Sequence, residues 1–488
     1  MLRVAIVHYH LKRGGVTRVI ESTLAGFARL PEPIKCIVLA GEVPADCVFA
    51  EQAVQVQGLH YSNTQASTPS PQTLLAKLRE AATKALGGPP DIWHIHNHSL
   101  GKNQSMPGLV AQLAEDGEAL LLHMHDFAED GRPQNYLLNQ SLTDHAQQLY
   151  PLGSRVHYAV LNGRDESIFT QPELAGDQLH QLPNAVDAEA STPDSSASQD
   201  ILNQLQTERL FLYPVRALRR KNFGETILWS TLLESGDCLA TTLAPTNQNY
   251  VAAYQRWIAL SEKHHLPIHF GIGQSNQFAF EDLMQTAAAI VSTSITEGFG
   301  LAFLEPWLFG KSIIGRDLPA ITADFKAKGI QLDTLYQALP IPKSLVDPSS
   351  LRTAIEKAMG TAYQAYGVPL PADAVDAAID AISPSDDSYD FGGLNETLQE
   401  AVIDQIMQDV SIRESLKPIV QREPAESAMI ETNATLIKTH YSPVTYAAQL
   451  AQIYHDILAA ESGSIEYIDP QKILESFLVP ENFRLLKT

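Results

Sequence analysis

Two short segments carry residue types that can do chemistry, one cationic and one pairing glycines with carboxylates. In Tyr213-Pro214-Val215-Arg216-Ala217-Leu218-Arg219-Arg220-Lys221-Asn222, four cationic side chains fall within six residues, directly after an apolar run. At the carboxyl end of a strand in an open α/β sheet, such a cluster is well placed to hold a phosphate. A surface ion-pair patch is the competing reading. In Ser292-Thr293-Ser294-Ile295-Thr296-Glu297-Gly298-Phe299-Gly300-Leu301-Ala302-Phe303-Leu304-Glu305-Pro306, two glycines and two acids lie between a strand pattern and a helix pattern. Glu297 and Glu305 could each accept hydrogen bonds from the hydroxyls of a polyol or ribose. A helix starting near Gly300 would aim its free N–H groups into the same crevice.

Further candidates lie near the start of the chain. Gly14-Gly15 follows the first strand pattern and precedes a helix pattern, where backbone amides could approach an anion. This is not the spaced glycine fingerprint of dinucleotide binders, and a structural tight turn explains it as well. His94, His96 and His98 fall in one strand region, and His123 and His125 in another. Within each strand, alternate histidines share a face. No acidic or cysteine pattern completes a ligand set, so no metal is expected. The histidines are expected at strand ends, lining a cleft.

Elements that could position these residues recur along the chain. Val4–Val7, Lys35–Ala40, Ile92–His96, Leu120–Met124 and Tyr158–Leu161 read as buried strands, with helices such as Gly15–Leu30 and Thr73–Leu86 between them. A polar stretch over Glu189–Gln199 reads as a linker. The alternation then restarts with strands at Leu210–Val215, Cys238–Leu243, Pro267–Phe270, Ala288–Ser292 and Ser312–Ile314. Two such runs imply an α/β protein with two doubly wound domains. A single (β/α)₈ barrel is the alternative, but the linker and restart are hard to place within it.

The 488 residues carry 34 Lys+Arg against 56 Asp+Glu, a net charge of −22. This disfavours nucleic acid and anionic membranes as partners. Residues 371–410 hold ten acids and no Lys or Arg, and read as a solvated, partly helical acidic face. The three cysteines form no CxxC pair, which suits a cytoplasmic protein. No run is long enough for integral membrane association. The spacing predicts a late helix over Val444–Ala459, with Ser442 as its cap and Pro443 at its start.

Together these motifs resemble a family. Thr296–Pro306 is similar to the Glu-seven-residues-Glu signature of retaining, nucleotide-sugar-dependent glycosyltransferases of the GT-B fold (glycosyltransferase family 4-like). Arg216 and Lys221 resemble their Arg-four-residues-Lys pair. Gly14-Gly15 matches their first-strand loop, and Leu182–Asp187 resembles their interdomain motif, with Ala185 in place of the usual Gly. The order and spacing hold over roughly residues 1–320.

The resemblance implies two facing Rossmann-like domains and a C-terminal helix crossing back to the first. The domains are then 1–185, binding the acceptor, and 186–360, binding the donor. An acidic excursion of the second domain follows at 361–440, and a segment at 441–488 packs on the first. It also implies transfer of a hexosyl group from a UDP-, GDP- or ADP-linked sugar to a hydroxyl acceptor, with the donor as substrate and no cofactor. In those terms Arg216 and Lys221 hold the diphosphate, and Glu305 binds the ribose. Glu297 contacts the sugar, near the amides of Phe299, Gly300 and Leu301. Gly14 and Gly15 face the diphosphate. His125, in a His-Asp pair, contacts sugar or acceptor. His98-Ser99-Leu100-Gly101-Lys102 resembles a motif of sucrose-synthesising members but sits before the wrong strand.

Other readings of the same fold are a sugar-nucleotide epimerase, a phosphorylase and a degenerate, non-catalytic interaction module. No pyridoxal-phosphate lysine motif favours the phosphorylase, and the intact cationic and carboxylate motifs disfavour the module. A soluble small molecule or saccharide is the expected acceptor, and the oligomeric state is not legible.

Overall fold

The computed structural model describes the chain except residues 63–67, 143–144, 171–173, 175, 188–194, 275–276, 421–422 and 488. Its described residues form two units: Met1–Asp187 with Ala365–Gly367 and Thr439–Val479, and Ala188–Gln364 with Val368–Lys438 and Pro480–Thr488. Part of the expected linker, 189–194, lies outside the described residues. The remainder is not linker, because Ser195–Leu205 is helical and buries Ile201 and Leu205 against Leu283 and Met284.

The first unit is built on strands β1 (Leu2–His8), β2 (Ile34–Ala40), β3 (Ala53–Gln55), β4 (Ile92–His96), β5 (Leu120–His123), β6 (Val156–Val160) and β7 (Leu179–Gln181). They lie in the order β3-β2-β1-β4-β5-β6-β7, every pair parallel. Parallel strands covered on both faces are apolar almost throughout, which is why these runs were legible. Val4 and Ile6 face a layer containing helix Gly15–Phe27, whereas Ala5 and Val7 face one containing helix Pro71–Leu86. Ser70 caps the latter by accepting from the Thr73 amide, and Gly87 ends it in the left-handed region at φ 72°.

Helix Pro443–Ala459 begins at the cap Ser442, whose hydroxyl accepts from the Thr445 amide at 3.3 Å. It lays Tyr446, Leu450, Ile453, Tyr454 and Ile457 on the first layer. Fully burying a large apolar side chain contributes about 1.5–3 kcal/mol, so this face ties the distant segment to the sheet. The expectation that all of 441–488 packs on the first unit is corrected at its tail. Residues 480–487 group with the second unit, where Leu485 and Leu486 are buried.

The second unit repeats the pattern with β8 (Arg209–Arg216), β9 (Asp237–Leu243), β10 (Ile268–His269), β11 (Ala289–Ser292), β12 (Ile313–Arg316) and β13 (Leu335–Tyr336). Their order is β10-β9-β8-β11-β12-β13, again parallel. The order reverses between β1 and β4 in one unit and between β8 and β11 in the other. A sheet opens a ligand-binding crevice at such a switch point, beyond the strands' carboxyl ends.

The acidic segment is not simply a solvated face. It forms helices Ala374–Ala381 and Glu396–Ile406, and several of its acids reach cations elsewhere in the second unit. Asp390 pairs with Arg316 at 2.7 Å, Glu396 with Arg219 at 2.6 Å and Asp404 with Lys263 at 2.7 Å. No described helix is long and apolar enough to cross a membrane.

Candidate functional site

The second unit's switch point brings both chemistry-bearing loops together. After β8 the chain makes a 3-10 turn over Arg219–Lys221, and after β11 it runs through Thr293–Gly300. Tyr213 locks the two loops: its hydroxyl donates to the Lys221 carbonyl at 3.1 Å and meets the Ser294 hydroxyl at 2.8 Å. Thr293 donates to the same carbonyl at 2.9 Å, and the Ile295 amide donates to the Arg220 carbonyl at 3.0 Å. A buried polar lattice of this kind is stable only because its members are paired.

Within this frame the Glu297 carboxylate accepts from the Lys221 ammonium on one oxygen and, at 3.0 Å, from the Arg220 guanidinium on the other. Arg220 also donates to the Thr296 carbonyl at 3.1 Å. Burial alone would raise the Glu297 carboxyl, but Lys221 and Arg220 outweigh it and hold the group below its usual range. Burial is also the largest influence on Lys221 and pulls its ammonium down, against the Glu297 charge. The outcome is an ionised carboxylate beside an ammonium that, among the described residues, gives one of its three donors to Glu297.

Arg216 ends β8 and is exposed, its guanidinium reaching the Ala244 carbonyl at 3.3 Å. Arg219, read as part of one cationic cluster, is instead held bidentately by Glu396 at 2.6 and 2.8 Å. The basic island is therefore smaller than its sequence, because one of its charges is matched by an acid 177 residues away.

The helix expected from Gly300 is not there. Leu301–Phe303 form a 3-10 turn, and the α-helix is only Glu305–Leu308. Gly300 adopts φ 94°, a left-handed geometry, and a Cβ there would lie 2.7 Å from Ile321 Cγ2. Glu305 is thus the first residue of a single helical turn. Phe299 is buried and Leu301 half-buried.

In the first unit, Gly14 precedes helix Gly15–Phe27 with φ 179°, an extended geometry open to any residue. A Cβ on Gly15 would meet no protein atom within 4 Å. Neither glycine is demanded by the surrounding protein, and the first helical turn has no acidic residue. His125 follows β5. Its amide and that of Asp126 both donate to the Asn97 side-chain oxygen, at 2.7 and 3.1 Å. Asp126 in turn pairs with Arg132 at 2.5 Å. Burial holds His125 at about 4, with Asp126 pulling the other way, so its ring is neutral near pH 7.

The remaining histidines depart from expectation. His94, His96, His98 and His123 are all fully buried, so none lines a surface. His98 is engaged with the Leu149 carbonyl at 2.7 Å. His94, His96 and His123 come together, and among the described residues theirs is the one cluster whose ligand atoms lie close enough, within 4.8 Å, to hold a metal ion.

Sequence reasoning gave no individual role to Tyr213, Thr293, Ser294, Arg220 or Asn97, although all but Asn97 lie in the two segments singled out. The serines and threonines sat inside the segment already singled out, but their partners lie about 70–80 residues away. Asn97, at φ 53°, lies in the turn after β4 and carried only the weak signal of a left-handed asparagine.

Comparisons with known proteins bear on this geometry. No protein-family model matches the chain. It is 24% identical over 352 residues to mannosylglucosyl-3-phosphoglycerate synthase of Petrotoga mobilis, covering 67% of each chain. Among solved structures it is similar to Anabaena HepE in complex with UDP and glucose, at 13% identity and TM-score 0.51, over 93% of this chain and 99% of that one. It is also similar to a glycosyltransferase from Rickettsia africae, at 12% identity and TM-score 0.54, over 94% and 99%. Sucrose-phosphate synthase from Thermosynechococcus elongatus matches at 14% and TM-score 0.50, over 94% and 100%. The chain has the GT-B fold. The resemblance carried by four short motifs thus extends, at the level of fold, over nearly all of this GT-B chain.

Proposed function

We propose that this GT-B chain is a retaining glycosyltransferase that moves a hexosyl group from a nucleotide-diphosphate sugar to a hydroxyl acceptor. The observation that carries the reading is the ammonium–carboxylate–guanidinium set of Lys221, Glu297 and Arg220 at the second unit's switch point. In the reaction the bond between the sugar's anomeric carbon and the diphosphate oxygen breaks, and a bond to the acceptor oxygen forms. The nucleotide diphosphate leaves with the electron pair, and the acceptor proton is released.

Lys221 and Arg216 act on the charge that develops on the departing diphosphate, where preorganised donors in a shielded site are most effective. Glu297 keeps Lys221 charged against burial and accepts from hydroxyls of the transferred sugar. Glu305 binds the ribose, near Phe299, Gly300 and Leu301. In the first unit the Gly14-Gly15 loop faces phosphate, and neutral His125 contacts a sugar or acceptor hydroxyl. The donor is the only nucleotide required. One similar protein is named a mannosylglucosyl-3-phosphoglycerate synthase and a fold neighbour holds UDP and glucose, which supports a nucleotide-sugar donor; a soluble small molecule or saccharide is the acceptor in this reading.

The test is release of UDP, GDP or ADP from a panel of nucleotide sugars with pooled acceptors, with the product's anomeric configuration read by NMR. A product that keeps the donor's configuration supports the reading, and an inverted product contradicts the retaining mechanism. Nucleotide release from donor alone, without glycoside formation, would favour a hydrolase, and conversion of the donor alone into an epimeric nucleotide sugar would favour an epimerase.

A further inference from the structure

The largest group of buried titratable side chains outside the donor-site loops lies in the first unit, under the sheet face that helix Pro443–Ala459 covers. Strands β4 and β5 pair in register, with His94 opposite Leu121 and His96 opposite His123. Side chains alternate along each strand, so His94 and His96 project to one face, and the His123 ring lies between 5.0 and 5.3 Å from theirs. One ring nitrogen from each of the three lies within 4.8 Å of the others. All three residues are 0% exposed.

We propose that His94, His96 and His123 form a binding site for one divalent transition cation of the zinc class.

Three observations support it. His96 Nε2 and His123 Nε2 are fully buried and have no hydrogen-bond partner, a cost that buried polar atoms in a folded protein rarely carry unmet. The outer nitrogens, by contrast, are held: His94 Nδ1 meets the Tyr454 hydroxyl at 2.8 Å, and His96 Nδ1 meets His125 Nε2 at 2.8 Å. With Nδ1–H donating outward, each of these rings turns the Nε2 lone pair inward. Metal-bound histidines are oriented in this way by partners on their second nitrogen.

All three rings are fully buried, which disfavours the charged imidazolium and favours the neutral form that ligates a metal. A set of neutral imidazoles without carboxylates selects zinc, cobalt or nickel over magnesium or calcium. Three protein ligands leave a fourth position for water or hydroxide, which would offset part of the ion's charge. The His94–His123 hydrogen bond of 3.1 Å is replaced when the ion binds. The ion would then clamp β4 to β5 and, through Tyr454 and His125, fix one residue of the crossing helix and one candidate acceptor-binding residue. This inference is independent of the donor-site reading.

The experiment uses the full chain, stripped with a chelator and then titrated with zinc against a competing chromophoric chelator. Wild type is expected to retain one zinc per chain, and cobalt in its place is expected to give the visible bands of four-coordinate imidazole ligation. His96→Gln and His123→Gln are each expected to weaken zinc retention at least about tenfold, whereas His98→Gln, a buried histidine outside the set, retains it. Magnesium is expected not to bind. No zinc in wild type, or equal retention in both site variants, overturns the proposal. If the site variants do not fold, the wild-type cobalt spectrum decides, and its absence overturns the proposal.

Discussion

The two units share a sheet topology and a switch point, yet they bury polarity in opposite ways. Beneath β4 and β5 the first unit buries neutral imidazoles, each pushed below its usual pKa by burial. Beneath β12 and β13 the second unit buries full charges in pairs. Arg316 is held by Glu225 at 2.5 Å and by Asp390 at 2.7 Å, with the Tyr336 hydroxyl donating to Glu225 at 2.8 Å. Burial lowers the Arg316 pKa, but the two carboxylates overcome this and raise it well above the usual value. The same fold thus tolerates buried polarity either by removing charge or by matching it. The donor-site loops use the second solution, with Lys221 and Arg220 on Glu297.

Acidification should separate the two solutions most strongly. The folded-state values of the buried histidines lie below the ordinary 6.5, so the unfolded chain binds their protons first. The stability they contribute is full above about pH 6.5 and falls as pH drops towards 4. Glu129 opposes this, since burial raises it to about 7, but one carboxyl cannot offset several histidines. The first unit should therefore unfold under mild acid before the second. Trp93 is the first unit's sole tryptophan, whereas Trp229, Trp257 and Trp307 lie in the second. Fluorescence of tryptophan-to-phenylalanine variants reads each unit separately, and coincident transitions would break the contrast.

Arg316→Met should come next. It leaves Glu225 and Asp390 buried without their cation, at a cost of about 3–5 kcal/mol, and urea unfolding should show the loss in the second unit's fluorescence only. Lys221→Ala should leave the fold in place and reduce turnover about 10²–10³-fold, the loss expected when one preorganised donor is removed. Gly300→Ala should have the smallest effect. Its left-handed backbone and contact with Ile321 imply about 1–3 kcal/mol of strain, detected as a lowered urea midpoint.

What the sequence made legible follows from the range of the interactions. The strands and the Ser442 cap are local patterns, and they emerged from alternation and spacing. The Arg219–Glu396 pair spans 177 residues, so the basic run looked more cationic than it is. Gly300 and Pro306 are local signals against a continuous helix, and the resemblance to a glycine-led helix start masked them. Along β4 the shared face of His94 and His96 was readable. The third histidine needs the β4–β5 register, which no spacing within one strand contains. The tail after 480 returns to the second unit through Leu485 and Leu486, two apolar residues too few to announce a docking face.

The central claim is that the Lys221–Glu297–Arg220 set serves transfer from a nucleotide sugar. Its most direct measurement is nucleotide-diphosphate release by wild type and Lys221→Ala across UDP-, GDP- and ADP-sugars with pooled acceptors. Release with at least one donor is expected, with a fall of about 10²–10³-fold in the folded variant. Wild-type protein that neither turns over nor binds any of these donors would contradict it.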